Sequence, residues 1–230
     1  MVFHEREGSS RTPGPAAVHQ HGKEPRRYSM DQLSLILSLA IGSFVFAGLL
    51  YIFQRDKPRE QRIPFWITAK CLQGAGSLCL LFLTPAPPDF PIVAAPLLLT
   101  GCAYESWALF AICGHPVSRR THLWSAGVIL VLTLAAAGLG LRWRMAMLPA
   151  LHAIFYALPA WALLANQKRE LSLRVILGGC FVLLAGVFAA QSALALCGFA
   201  PVAAIDAVIP AAVYVMLLVS GFSLDRKSVV

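Results

Sequence analysis

Charge is what this sequence has least of. Asp, Glu, Lys and Arg together supply 13% of 230 residues, about half the share of a soluble domain. Hydrophobic residues supply 58%, more than a soluble fold of this size could bury. Disordered chains, collagen and coiled coils fail on the same composition. The six cysteines form no CxxC pair, and no His or Cys stands beside them at metal-ligand spacing. They read as small packing residues rather than redox or metal centres. No GxSxG, HExxH, GxxxxGK[ST] or DxDxG occurs, and the loops are too short to hold a catalytic domain. The chain is therefore expected to be non-enzymatic and to carry neither cofactor nor metal.

What the sequence does have is long apolar runs, seven of them, at 31–53, 63–83, 92–113, 123–141, 145–165, 175–197 and 207–224. As helices, each spans about 30 Å of hydrocarbon, the fourth only just. The runs are continuous rather than alternating, which excludes membrane strands. The expected fold is all-α, a polytopic membrane bundle of seven transmembrane helices. Pro149 and Pro159 fall inside the fifth run, where they are expected to bend it. Ahead of the first run, residues 1–29 are polar, rich in Pro, Gly and His, and read as a disordered tail. This tail is no signal peptide, because the apolar run after it is too long for an h-region. Met30 directly precedes that run and is a candidate start, which would make 1–29 an extension. The transmembrane domain is thus 30–225, followed by a short tail at 226–230.

Basic residues assign an orientation. Arg55, Lys57, Arg59, Arg62, Arg119, Arg120, Lys168, Arg169, Arg174, Arg226 and Lys227 fall in one set of loops. The opposite loops hold only Arg142 and Arg144. The positive-inside rule then puts the C-terminus in the cytoplasm and the start of the first span outside. The net charge of +8 is accounted for by this loop pattern and by contact with anionic headgroups, so nucleic acid is not an expected partner.

Few polar residues lie inside the runs. A retinal pigment needs a Schiff-base lysine in its last helix, and 207–224 contains none. Lys70 is the only lysine inside a run, and Glu105 lies in the next one. Counted from the ends of their runs on the same side, both sit ~10–12 Å deep on consecutive antiparallel helices. Charges at that depth are costly and face the bundle interior. Lys70, Gln73, Gly74 and Ser77 form a small or polar stripe, as do Gly101, Glu105 and Ala108. Small residues permit close helix approach. An interhelical Lys70–Glu105 ion pair is the leading expectation, ahead of a ligand-sensing or proton-responsive site and of a transport pathway. Gln73, Tyr104, His152 and Gln191 are further candidates for a polar interior. His152 lacks a second histidine inside the runs, so it suits a helix-packing hydrogen bond rather than haem. The five tryptophans lie mainly toward run ends, as interfacial anchors do.

The order of features over 30–114 carries a resemblance. MDQL opens the first run at 30–33, a basic loop follows at 55–62, and WITAKCLQG stands at 66–74. A proline-rich turn at 85–91, Gly101 and FAICG at 110–114 complete the pattern. It resembles the N-terminal multi-pass membrane sensor regions of bacterial diguanylate cyclases, the GGDEF proteins. The later runs, separated by a short basic loop at 166–174, look similar too. Pro96 stands where those regions often carry an asparagine, which puts any role of that amide in doubt here. Those proteins continue into a GGDEF output domain, whereas this sequence reaches Val230 without one. The resemblance implies a sensory or regulatory module of the bacterial inner membrane that acts through protein contacts. It would be a truncation, a degenerate relative, or a protein recruited to another complex. An accessory subunit packed against a larger membrane complex is the alternative, and a small transporter the third. Expected partners are the lipid bilayer and a protein or second copy in the membrane.

Overall fold

The structure is a computed structural model that describes residues 30–55, 57–58, 63, 65–83, 91–115, 117–165 and 171–198. Six α-helices and no strands occur among the described residues: α1 (Met30–Arg55), α2 (Trp66–Leu83), α3 (Ala94–Ile112), α4 (Arg119–Ala137), α5 (Leu141–Ala165) and α6 (Leu171–Leu196). All six are long and apolar enough to cross a bilayer, the character of a multi-pass membrane protein. The tail at 1–29, the seventh run at 207–224 and the tail at 226–230 lie outside the described residues.

Local chemistry moves several boundaries away from the apolar runs. α2 begins at Trp66 rather than 63, because Phe65 has φ +62°, a left-handed conformation that cannot be part of a right-handed helix. Its carbonyl nonetheless accepts the first helical bond, from Ala69 N at 2.8 Å. α4 begins four residues before the run at 123–141. Ser118 is extended there, and its hydroxyl accepts from Thr121 N at 3.2 Å, the arrangement of an N-cap. The same helix ends at Ala137, before Gly138 and Gly140. Both prolines of α5 lie within one continuous helix.

α3 is the axis of the bundle and the most buried of the six candidate spans. α2 and α5 pack on it from different sides, with α4 alongside. Beyond them, α1 packs on α2 and α6 on α5, the α5–α6 contact being the most extensive. Three cores fill the gaps. Phe46, Leu50, Trp66 and Ala108 join α1, α2 and α3. Leu99, Ala103 and Ile129 join α3 and α4, with Leu148 and Leu151 of α5 against them. The largest core includes Leu109, Tyr156, Leu163, Phe181 and Phe188, between α3, α5 and α6. Outward faces are apolar as well: Ile41, Val45, Leu49 and Ile52 of α1 are all exposed. Such a surface suits lipid rather than water.

Candidate functional site: a buried polar cluster around Glu105

Two glycines let α2 and α3 meet. A Cβ on Gly101 would stand 2.9 Å from Ala69 O and 2.7 Å from Gln73 Cγ, and one on Gly76 would stand 2.7 Å from Leu98 Cγ. Only residues without side chains allow this approach. Gly74, from the predicted stripe, instead faces α1, where a Cβ would meet the Phe44 ring.

The close approach brings Lys70, Gln73 and Glu105 together. Lys70 Nζ donates to Glu105 Oε1 at 2.5 Å and to Gln73 Oε1 at 3.1 Å. Gln73 Nε2 donates to Glu105 Oε2 at 2.7 Å, so both carboxylate oxygens are engaged. Lys70 and Glu105 are 2% and 8% exposed. The Phe46 ring lies 5.5 Å from Lys70 Nζ, at cation–π distance. Gln73 is held in turn by its helix, its carbonyl accepting from Ser77 Oγ at 2.9 Å. Charge is balanced within the cluster, and the Gln73 amide completes it. This is what a buried ion pair requires in order not to be a net cost.

The depth differs from the sequence expectation. Because α2 starts at Trp66, Lys70 lies one turn into its helix, about 6 Å, while Glu105 lies seven residues before the end of α3, about 10 Å. The lysine side chain is long enough to span the offset.

A second polar seam runs from the same part of α3 to α5. Cys102 Sγ and Tyr156 OH are 3.4 Å apart, with Gln73 Nε2 4.0 Å from the sulfur on the other side. Ser106 Oγ donates to Phe155 O at 2.5 Å. That carbonyl is available because its helical donor would be the N–H of residue 159, and Pro159 has none. Ser106 thus supplies the bond that the proline removes, the compensation that membrane helices need. Neither Cys102 nor Ser106 stood out in the sequence. The available signal was their i, i+4 spacing around Glu105, together with a carbonyl four residues before a proline.

The other candidates lie elsewhere. Tyr104 is buried among rings, edge-on to Phe65 at 5.3 Å and to His122 at 5.4 Å. His122 is only 1% exposed; it stacks on Phe65 at 4.4 Å, and its Nδ1 lies 2.9 Å from Ser118 O. The expected interhelical hydrogen bond of His152 is replaced by one inside its own helix, to Leu148 O at 2.9 Å. Its contact with α6 is a stack on Phe188 at 5.0 Å. Gln191 is half-buried on α6, whose close backbone neighbour among the described helices is α5. Of the tryptophans, Trp124, Trp143 and Trp161 are exposed, but Trp66 is 2% exposed and belongs to the core with Phe46. No group of three or more His, Cys, Asp or Glu able to hold a metal occurs among the described residues.

Comparison of the chain with protein-family models, with curated proteins and with solved structures found no match.

Proposed function

We propose that this chain is a non-enzymatic sensory or regulatory module of a bacterial inner membrane, with seven spans, the first starting outside and the C-terminus in the cytoplasm. It acts through protein contacts. The observation that carries this reading is the Lys70–Gln73–Glu105 cluster. Its groups are committed to one another, so it holds helices rather than presenting groups to a substrate. Beside the cluster on α3, Cys102 and Ser106 meet α5. A displacement of α2 against α3 would therefore be felt at α5 and α6, which is how a module with two helix arrangements passes on a signal. The likeness of 30–114 to diguanylate cyclase sensor regions supports the same reading.

The alternative, an accessory subunit, is favoured by α4. This helix buries only His122, Ile129, Thr133 and Ala136, and exposes Leu123, Trp124, Val131 and Leu134.

Purification of the full chain in mild detergent, as wild type and as Glu105→Gln, tests both. A regulatory module yields a signalling partner whose recovery falls in the variant. A partner retained at constant stoichiometry in both supports the subunit. Recovery of no partner at all rejects both. Reporter fusions at Val230 and near Asp89 test the orientation, with a cytoplasmic and an external signal expected respectively.

A further inference from the structure

Phe65, directly before α2, has a backbone φ of +62°. A residue with a side chain is disfavoured in that left-handed region by roughly tenfold. For a bulky ring it is an outlier, kept only where the surroundings hold it. Two rings do so. His122 of α4 stacks on Phe65 at 4.4 Å, and Tyr104 of α3 meets it edge-on at 5.3 Å. An aromatic pair is worth roughly a two- to tenfold preference beyond its buried area. Two such contacts offset the strain, whereas one alone barely matches it. The conformation of Phe65 therefore depends on α4 staying in place.

α4 is also the helix most easily moved. It is the least buried of the six candidate spans, and His122 is the one buried residue in its first two turns. The imidazole is tied to its own helix, with Nδ1 2.9 Å from Ser118 O, while Nε2 is buried without a hydrogen-bond partner. His122 thus meets Phe65 and Tyr104 through ring contacts, which part without breaking a hydrogen bond of the imidazole. The polar contact between α3 and α4 near this end, Trp107 Nε1 to Ser125 Oγ, is long at 3.4 Å.

A change at Phe65 would reach the ion pair. The Phe65 carbonyl accepts the first helical bond of α2 from Ala69 N, and Lys70 is the next residue. On α3, Tyr104 is likewise next to Glu105. The ring contacts and the polar cluster thus hold the same two helices at adjacent residues. We infer that Phe65 is a strained latch: the His122 and Tyr104 rings hold it left-handed, and withdrawal of α4 lets it relax and loosens the turn of α2 that carries Lys70. The inference rests on the regulatory reading above and names how a movement of α4 reaches the Lys70–Gln73–Glu105 cluster.

Hydrogen exchange of the full chain in lipid nanodiscs, followed at the amides of Ala69, Lys70, Cys71 and Leu72, tests the latch. His122→Leu keeps an apolar side chain at the contact but removes the stacked ring, and exchange at these amides should quicken several-fold. In a Phe65→Gly background the left-handed backbone carries no strain, so His122→Leu should then change exchange by less than about twofold. Unchanged exchange in His122→Leu alone overturns the latch. Equal acceleration in both backgrounds means that His122 acts by packing, and overturns it as well. Acceleration that extends through α5 and α6 marks a loss of the whole bundle and has the same consequence. Tyr104→Leu is a second variant that should repeat both results, and its failure to do so counts against the two-ring account. The measurement needs no partner. Absence of the coupling overturns the latch alone, whereas unchanged partner recovery in Glu105→Gln overturns the regulatory reading alone.

Discussion

The two sides of α3 are built from different materials. Toward α2 it presents a carboxylate, met by an ammonium and an amide at hydrogen-bond distance. Toward α5 and α6 it presents Cys102, Ser106 and Leu109 to a core dominated by the rings of Tyr156, Phe181 and Phe188. The first seam is directional, and its few bonds must all be made at once. The second spreads its contacts over many atoms, so each one matters less. In lipid, the hydrophobic effect gives helices no reason to associate, and packing and polar bonds decide the arrangement. The contrast teaches that the polar seam fixes how α2 and α3 are rotated, while the ring-lined seam holds α5 and α6 in place with more tolerance.

The largest effect should come from breaking the polar seam halfway. Lys70→Met or Glu105→Leu alone strands a buried charge and should cost about 3–5 kcal/mol, while the double variant should cost clearly less than the sum. Unfolding of the three variants in detergent measures this, and additive losses would remove the distinction between the two seams. Next comes the approach that permits the pair. Gly101→Ala forces a Cβ against the backbone of Ala69 and Gln73 and should cost about 1–3 kcal/mol by the same measurement. On the other side, Phe188→Leu should cost only about 1 kcal/mol, since a ring replaced by a smaller hydrophobe can be repacked around. A loss as large as that of a single charge variant would mean that the ring-lined seam is not the tolerant one.

The smallest effect is also the most specific. Ser106→Ala removes the donor to Phe155 O and should cost about 0.6 kcal/mol, typical of hydrogen bonds between membrane helices. In a Pro159→Ala background the carbonyl regains a donor from its own helix, so the same Ser106→Ala change should be close to neutral. Equal losses in both backgrounds would show that the bond to Phe155 O contributes nothing, leaving packing and the Ser106 Oγ contact with Cys102 O.

How much of this could be read from the sequence follows the same division. The six described spans were legible because a helix that crosses hydrocarbon needs a long apolar run, and length survives without any knowledge of neighbours. Lys70 and Glu105 stood out because charge there is rare. Rotation was not legible. Where nearly every face of a helix is apolar, its pattern says little about which face meets which neighbour, so Gly74 was assigned to the α3 side and found against Phe44 of α1. The start of α2 was missed because it depends on one backbone angle at Phe65, and Trp66 went from predicted anchor to core residue with it. The Ser106–Phe155 bond joins residues 49 apart, and nothing local in either segment announces the other.

The ion pair also bears on how the protein enters the membrane. Lys70 and Glu105 are carried by consecutive helices, so α2 inserted alone would bring an unmatched cation into the hydrocarbon, and α3 alone an unmatched anion. A charge at the centre of a helix adds about 2.5–3.5 kcal/mol to the cost of insertion, and one nearer the end adds less. α2 has only 18 residues to offset that cost. Entering as a hairpin, the two helices cancel each other's charge before either must settle in lipid. Integration of α2 during synthesis is therefore expected to wait on the emergence of α3. A nascent chain stalled before residue 105 should leave its second helix accessible from the aqueous side until Glu105 arrives.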